Sequence, residues 1–276
     1  MVRKRRTLGL ALGGGAARGL AHLGVLKVLE EAGLRADYVC GTSAGSIVGA
    51  LYAGGYSWDE IVEVTRTLDW ADMVKPVFPK MGLVRADRLE KRLDALLGDR
   101  TIEQLDMPFR AVAVDLVQGE QYVFDSGPVA RAVRASSSIP GIFEPVEYEG
   151  RMLVDGGVLN DVPIDVCQAM GADFVLAVDL NSDAVQGKAP ENIFNVLLYS
   201  FAVMARQCRL VHVRGKSRDV RIIAPELADF NYYNLKRLDE LIHRGETAMT
   251  EAMPETIRML MKHSVLPRPD IAPRIQ

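Results

Sequence analysis

A chain of 276 residues, 49% apolar and 25% charged, can bury a sizeable core and sits near the upper end of what one domain holds. Its formal net charge of −3 gives no electrostatic case for nucleic acid, and no apolar run is long enough to span a bilayer. Cys40, Cys167 and Cys208 lack C-x-x-C spacing and read as single buried side chains, which fits a cytoplasmic setting with peripheral membrane contact left open.

In chain order, the first feature is a basic arm, Arg3, Lys4, Arg5 and Arg6. Its plain reading is a solvated terminus, and its other reading is contact with anionic lipid. "TLGLAL" follows without a small-residue cleavage site, so it reads as a first strand and not as a signal peptide. It enters Gly13-Gly14-Gly15-Ala16-Ala17-Arg18-Gly19 and leaves as an amphipathic helix ending at Gly33. That is the layout of a loop presenting backbone N–H groups to something negative. A dinucleotide fingerprint beginning at Gly13 and Gly15 would need glycine where Arg18 stands, and the second strand, "DYVCGTS", lacks the terminal acidic residue. A Walker loop would need a lysine that is absent. Close packing of helix on sheet would by itself explain the glycines.

The turn after the second strand, Gly41-Thr42-Ser43-Ala44-Gly45, is a G-x-S-x-G sequence between a β-rich run and a helix through Tyr52. This is the context of a nucleophile elbow, with Ser43 on a strained turn and Gly41 and Gly45 letting strand and helix approach. Gly45, Gly49 and Ala53 share one helical face, suited to packing on the sheet. The stretch Val74–Asp87, apolar and proline-interrupted, reads as a connection, with a lid or lipid contact as the alternative. Strands follow at "FRAVAVDL", "QYVF" and "RMLV", the last running into Asp155-Gly156-Gly157. Asp155 can serve Ser43 as base, or the Asp-Gly pair can mark a hairpin turn. Taken together, the motifs make an acyl-transfer set: nucleophile Ser43, base Asp155, and oxyanion donors from Gly13, Gly14 and Gly15.

Two more buried strands, "ADFVLAVDL" and "VRIIAP", complete the pattern, and the helices expected at 191–213 and 233–253 read as core-packed before membrane-facing or partner-binding. Strands alternating with helices predict an α/β fold: a mostly parallel central sheet with helices on both faces and ligands at the strands' carboxyl ends. Residues 7–180 are expected to form the core and 181–276 to complete the same domain. Of the histidines, His22 lies beside the apolar face of the first helix and reads as packed. His212, His243 and His263 fall in or at the end of helices, and none stands in a strand-end loop. No metal-ligand cluster is visible in the sequence.

The three motifs, in this order, resemble those of the patatin-like phospholipases, in particular the bacterial branch related to the catalytic domain of neuropathy target esterase. "AVDL" at Ala113–Leu116, "ASSSIPGIFEPV" at Ala135–Val146 and "LNDVPI" at Leu159–Ile164 are similar too, so the resemblance covers most of residues 7–180. It implies a three-layer patatin-like fold and a serine acyl hydrolase that cleaves lipid esters with a Ser43–Asp155 dyad, no histidine and no cofactor. It also implies that Arg18 and Gly19 support the glycine loop. One residue more stands before Arg18 than in the plant-type pattern, so which glycine N–H groups face the oxyanion stays open. Two other classes are weighed: a regulatory or lipid-binding protein that keeps the fold with little turnover, and a histidine-dependent α/β-hydrolase. No oligomeric state is assigned.

Overall fold

The run Leu8-Gly9-Leu10-Ala11-Leu12 is buried at every position and forms the central strand, β1 (Leu8–Leu12). The computed structural model describes residues 6–67, 75–76, 82, 84–85, 87–183, 189–190, 192–213, 219–232 and 236–265. Arg3, Lys4, Arg5 and most of Val74–Asp87 lie outside the described residues, as do the side chains of Cys208 and His212.

A 3-10 turn, Ala16–Leu20, leads from the glycine loop into α1 (Ala21–Glu31), followed by β2 (Tyr38–Thr42), α2 (Ala44–Ala53) and α3 (Trp58–Arg66). A short antiparallel pair, β3 (Lys75–Pro76) and β4 (Val84–Arg85), precedes α4 (Asp87–Leu97), β5 (Phe109–Asp115), β6 (Glu120–Phe124) and α5 (Val129–Ser136). Then come β7 (Val146–Tyr148), β8 (Arg151–Asp155), α6 (Ile164–Ala169), β9 (Phe174–Val178), α7 (Ile193–Val213), β10 (Val220–Ile223) and α8 (Leu238–Lys262). Every strand expected from the sequence is present. β7, β3 and β4 had no signal, being too short to show a period of two.

Among the described residues the main sheet has the order β10-β9-β1-β2-β5-β8-β7, with β6 also paired to β5. The five strands from β10 to β5 are parallel, and β6, β8 and β7 add antiparallel pairings at one end. Alternation along β1 sends Leu8, Leu10 and Leu12 into the large core beneath α1, α2 and α8, and Ala11 into a smaller one beneath α6. The architecture is therefore α/β, with a mostly parallel sheet between helical layers. On the thin side a Cβ at Gly9 would meet the Cys167 Sγ, and Ala172 Cβ at 2.6 Å. Cys40 and Cys167 are buried free thiols there, as their sequence context suggests. No helix among the described residues is long and apolar enough to cross a membrane.

The C-terminal helix α8 lies along α1, and the two backbones touch. A Cβ on Gly24 would strike the Ile242 carbonyl, and one on Gly245 would strike the Ala21 carbonyl. Beside this seam Lys27 Nζ donates to Glu246 Oε1 at 2.7 Å. Alanine at Gly24 would gain roughly 0.5–1 kcal/mol of helix propensity and lose more by overpacking against backbone that cannot rotate away. Gly24→Ala is expected to lower the unfolding free energy by about 2 kcal/mol in a urea titration. An unchanged midpoint would show that α1 and α8 separate without cost.

Candidate active site

The register of β5 decides which residues meet. One edge of β5 pairs with β6 over Ala111–Asp115. The other edge is shared: β2 runs parallel along Phe109–Val112, and β8 runs antiparallel along Ala113–Asp115. The two strands therefore approach head to head and stop on neighbouring rungs, Thr42 opposite Val112 and Asp155 opposite Ala113. Ser43 follows Thr42, so serine and aspartate arrive at one joint. A Cβ on Gly156 would collide with the Val112 carbonyl and lie 3.1 Å from Thr42 Cγ2, so glycine is needed where the ends abut.

Ser43 has φ 53° and ψ −125°, a backbone conformation costing roughly 1–3 kcal/mol for a residue with a Cβ. Its surroundings hold it there. Its N–H donates to Ser136 Oγ at 3.0 Å, and that hydroxyl donates to the Val112 carbonyl at 2.6 Å. The Ser46 hydroxyl donates to the Ser43 carbonyl at 2.6 Å. A Cβ on Gly41 would run into the Gly45 carbonyl, and one on Gly45 into the Leu12 carbonyl, so neither position has room for a side chain. Ser43 also stands at the amino end of α2, where the helix dipole favours negative charge.

Asp155 is fully buried. Its N–H donates to the Ser138 carbonyl at 2.9 Å, and its Oδ1 accepts the Gly157 N–H at 2.8 Å. Past Asp155 the chain makes a 3-10 turn, Gly156–Val158, instead of a hairpin. Burial pushes the Asp155 pKa up to about 7, against the opposing pull of the Ser43 hydroxyl and the Gly157 N–H. Oδ2 completes no hydrogen bond, so the Ser43–Asp155 contact is an approach with the bond not fully formed. Resting sites often show such loose geometry and tighten when substrate arrives.

The glycine loop is anchored at its start. Gly13 N–H donates to the Val178 carbonyl and Gly14 N–H to the Asp161 carbonyl, both at 3.0 Å. Which of the three glycines face an oxyanion is left open by the sequence; in the structure the Gly13 and Gly14 N–H groups are engaged within the fold. Gly15 and Ala16 are the loop residues that line the cavity with Ser43. Ala16 has φ 47°, a left-handed conformation held in the turn that closes the loop. Gly19 packs on the elbow helix, where a Cβ would lie 2.5 Å from Ala44 Cβ.

Arg18 ties the loop to the C-terminal part of the chain. Only 3% exposed, it donates through Nε and Nη2 to the Phe230 carbonyl at 3.0 and 2.8 Å and through Nη1 to the Leu180 carbonyl at 3.3 Å. Its guanidinium also lies 4.3 Å from the Tyr232 ring centroid. Three residues with no role in the sequence reading complete this wall. Asn181 Nδ2 donates to the Gly14 carbonyl at 3.1 Å and to Asp161 Oδ2 at 3.0 Å, and the Tyr232 hydroxyl donates to Asn181 Oδ1 at 3.2 Å. "LNDVPI" held a signal for Asp161, and the strand-end position after "ADFVLAVDL" held one for Asn181; nothing around Tyr232 marked it.

His22 is fully buried, its Nε2 donating to the Gly13 carbonyl at 2.8 Å, and burial pushes its pKa down to about 4. It is a neutral support for the loop. His263 lies 2.9 Å from Asp219 and against Phe174, at the amino ends of β10 and β9, and the His243 side chain is 75% exposed. The narrow cavity at Ser43 has an apolar wall of Ile139, Leu198, Phe201 and Ala202 facing Asp161, Asn181 and Tyr232. A wider groove of about 320 Å³ lies between β10 and α8, lined by Arg221, Arg244 and Glu251 and apart from these motifs. Among the described residues no group of three or more His, Cys, Asp or Glu side chains is placed to hold a metal ion.

The sequence matches the patatin-like phospholipase family over residues 10–167. An uncharacterized NTE family protein of Mycobacterium tuberculosis is 32% identical over 282 residues, covering 92% of this chain and 48% of its own length. Patatin-like phospholipase domain-containing protein 6 of Mus musculus is 37% identical over 186 residues, covering 64% of this chain and 14% of its own. The chain thus spans about half the length of the mycobacterial relative it matches. Among solved structures VipD from Legionella pneumophila has the same fold, with a TM-score of 0.60 at 16% identity over 95% of this chain and 67% of that one. The matched region runs from the glycine loop through Asp155, and the chain belongs to the patatin-like phospholipase family.

Proposed function

We propose that this chain is a serine acyl hydrolase that cleaves lipid carboxylic esters with a Ser43–Asp155 dyad. The observation that carries the reading is the head-on meeting of β2 and β8, which sets a buried carboxyl with a pKa of about 7 beside an elbow serine. A serine hydroxyl needs a base within reach, and a carboxylate tuned to neutrality is matched to that task. Asp155 takes the hydroxyl proton as Ser43 Oγ bonds to the ester carbonyl carbon. The carbonyl oxygen becomes an oxyanion, received by the Gly15 and Ala16 N–H groups. Collapse breaks the ester bond, and Asp155 returns the proton to the departing alcohol. Water, deprotonated by Asp155, then attacks the acyl-serine and releases the fatty acid and free Ser43.

Donors aimed at an oxyanion act on the transition state rather than on substrate binding, and loss of one typically costs roughly 3 kcal/mol, about a hundredfold in rate. The apolar wall of Ile139, Leu198 and Phe201 suits an acyl chain, and membership of a phospholipase family supports a lipid ester as substrate.

In assays on a p-nitrophenyl ester series, Ser43→Ala and Asp155→Ala are each expected to lose about 10³-fold or more in kcat/KM while keeping the wild-type circular dichroism spectrum. Equal inactivity of the wild type and both variants, on esters and on phospholipid, would favour a lipid-binding protein instead. Because the base works ionised, kcat/KM is expected to climb about tenfold per pH unit below the Asp155 pKa of about 7 and to level off above it. A profile flat between about pH 5 and 8 would remove Asp155 from the role of base.

A further inference from the structure

We infer that Phe201 on α7 is a positioning residue of the dyad, its ring keeping water from the buried carboxyl beside Ser43 and acting on the base through Gly157; this rests on the dyad reading above. Backbone walls the joint on its other sides: Gly156 abuts the Val112 carbonyl, and the Asp155 N–H meets the Ser138 carbonyl. On the α7 side the wall is a ring. A Cβ placed on Gly157 would lie 2.9 Å from Phe201 Cζ, 3.3 Å from Phe201 Cε1 and 3.2 Å from Asp155 Oδ1. The ring edge and the carboxyl oxygen thus flank one α-carbon, and the N–H of that same glycine donates to Oδ1. Phe201 also lines the cavity with Ser43. It is half-buried where Asp155 and Gly157 are buried, which puts the ring at the boundary between solvent and the joint.

Leu198, Phe201 and Ala202 fall three and four residues apart on one face of α7 and pack with Ile139, Ile142 and Tyr232 in a small cluster apart from both larger cores. The ring therefore depends on this one helix for its place. Asp155 owes its raised pKa first to burial, with the Ser43 hydroxyl and the Gly157 N–H pulling the other way, and no charged side chain is among the causes. The ionisable groups nearby are engaged elsewhere or stand across the cavity. Asp161 and Tyr232 lie on the opposite wall, and Arg134 on α5 is bonded to Glu90 at 2.7 Å. On the sheet, Asp115, two rungs along β5, is bonded to Arg151 at 2.9 Å, and the Tyr122 hydroxyl donates to Glu149 at 3.5 Å. The α7 side chains that line the cavity are all apolar, and Arg206 is not among them. Exclusion of water is what governs the ionisation of Asp155, and removal of the Phe201 ring opens the joint from the solvent side.

The test is the pH dependence of kcat/KM on soluble p-nitrophenyl butyrate. Phe201→Ala is expected to move the acid limb down by about one pH unit, so that at about pH 5 the rate relative to its own plateau rises about tenfold. Leu197→Ala, which loosens the same helix where it lies over Gly141, is expected to keep the wild-type midpoint. A Phe201→Ala midpoint equal to that of the wild type overturns the inference. So does an equal shift from Leu197→Ala, since any loosening of α7 would then suffice. Urea unfolding at about pH 4 and pH 7 asks the same question without catalysis. The part of the stability change with pH that Asp155→Asn abolishes is expected to be smaller in Phe201→Ala than in the wild type, and an equal change counts against the inference. If the wild type hydrolyses no ester, the dyad reading fails and the urea comparison alone decides whether Phe201 keeps water from Asp155.

Discussion

The shared edge of β5 is the constraint on which the rest of the site depends. A strand edge offers one line of backbone partners, and here β2 and β8 divide it, entering from opposite ends. Because side chains alternate with a period of two, a slip of β8 by one residue would send Asp155 to the other face of the sheet. The neighbouring segment locks the joint: Ser136 bridges Ser43 N–H to the Val112 carbonyl, and Ser138 accepts the Asp155 N–H. The approach of Ser43 to Asp155 is thus a property of sheet register, sealed by the segment where α5 ends.

This arrangement carries a cost that the core must offset. Ser43 is held at positive φ, and Asp155 is a carboxyl deprived of water. With its folded pKa raised from 3.8 to about 7, Asp155 binds its proton more tightly in the folded state. Stability is therefore greatest below the unfolded value and declines as pH rises to about 7, by on the order of 4 kcal/mol in all, and the base proposed here is ionised only at the upper end of that range. Under the proposed mechanism, activity and stability move in opposite directions with pH at this one residue. The gapless contact of α1 with α8 and the Arg18 clamp on Phe230 and Leu180 are among the contacts that set against it.

Much of the candidate site is legible in the sequence. "TLGLAL", "DYVC" and "RMLV" read as buried strands because each is a short apolar run leading directly into glycine or aspartate, and the elbow could be recognised from Gly41 and Gly45 flanking Ser43. The head-on meeting was not legible, since pairing of β5 with β2 and β8 depends on long-range register that no local pattern encodes. The choice of donors in the glycine loop was hidden for a similar reason: the Val178 and Asp161 carbonyls that occupy Gly13 and Gly14 lie far along the chain. Tyr232 comes from a segment with no motif, and only folding brings it and Asn181 to the loop. Nothing local in the sequence marks Gly24 and Gly245; the packing of α1 on α8 shows why neither can carry a side chain.

The central claim is that Asp155, and no histidine, activates Ser43. It is tested most directly by reacting the protein with a fluorophosphonate and locating the adduct by mass spectrometry. The account predicts one adduct per chain, on Ser43, with the rate of labelling collapsing in Asp155→Asn and persisting when His22, His212, His243 and His263 are each replaced by glutamine. Labelling elsewhere, or labelling that survives Asp155→Asn and vanishes with one of the histidines, would contradict it.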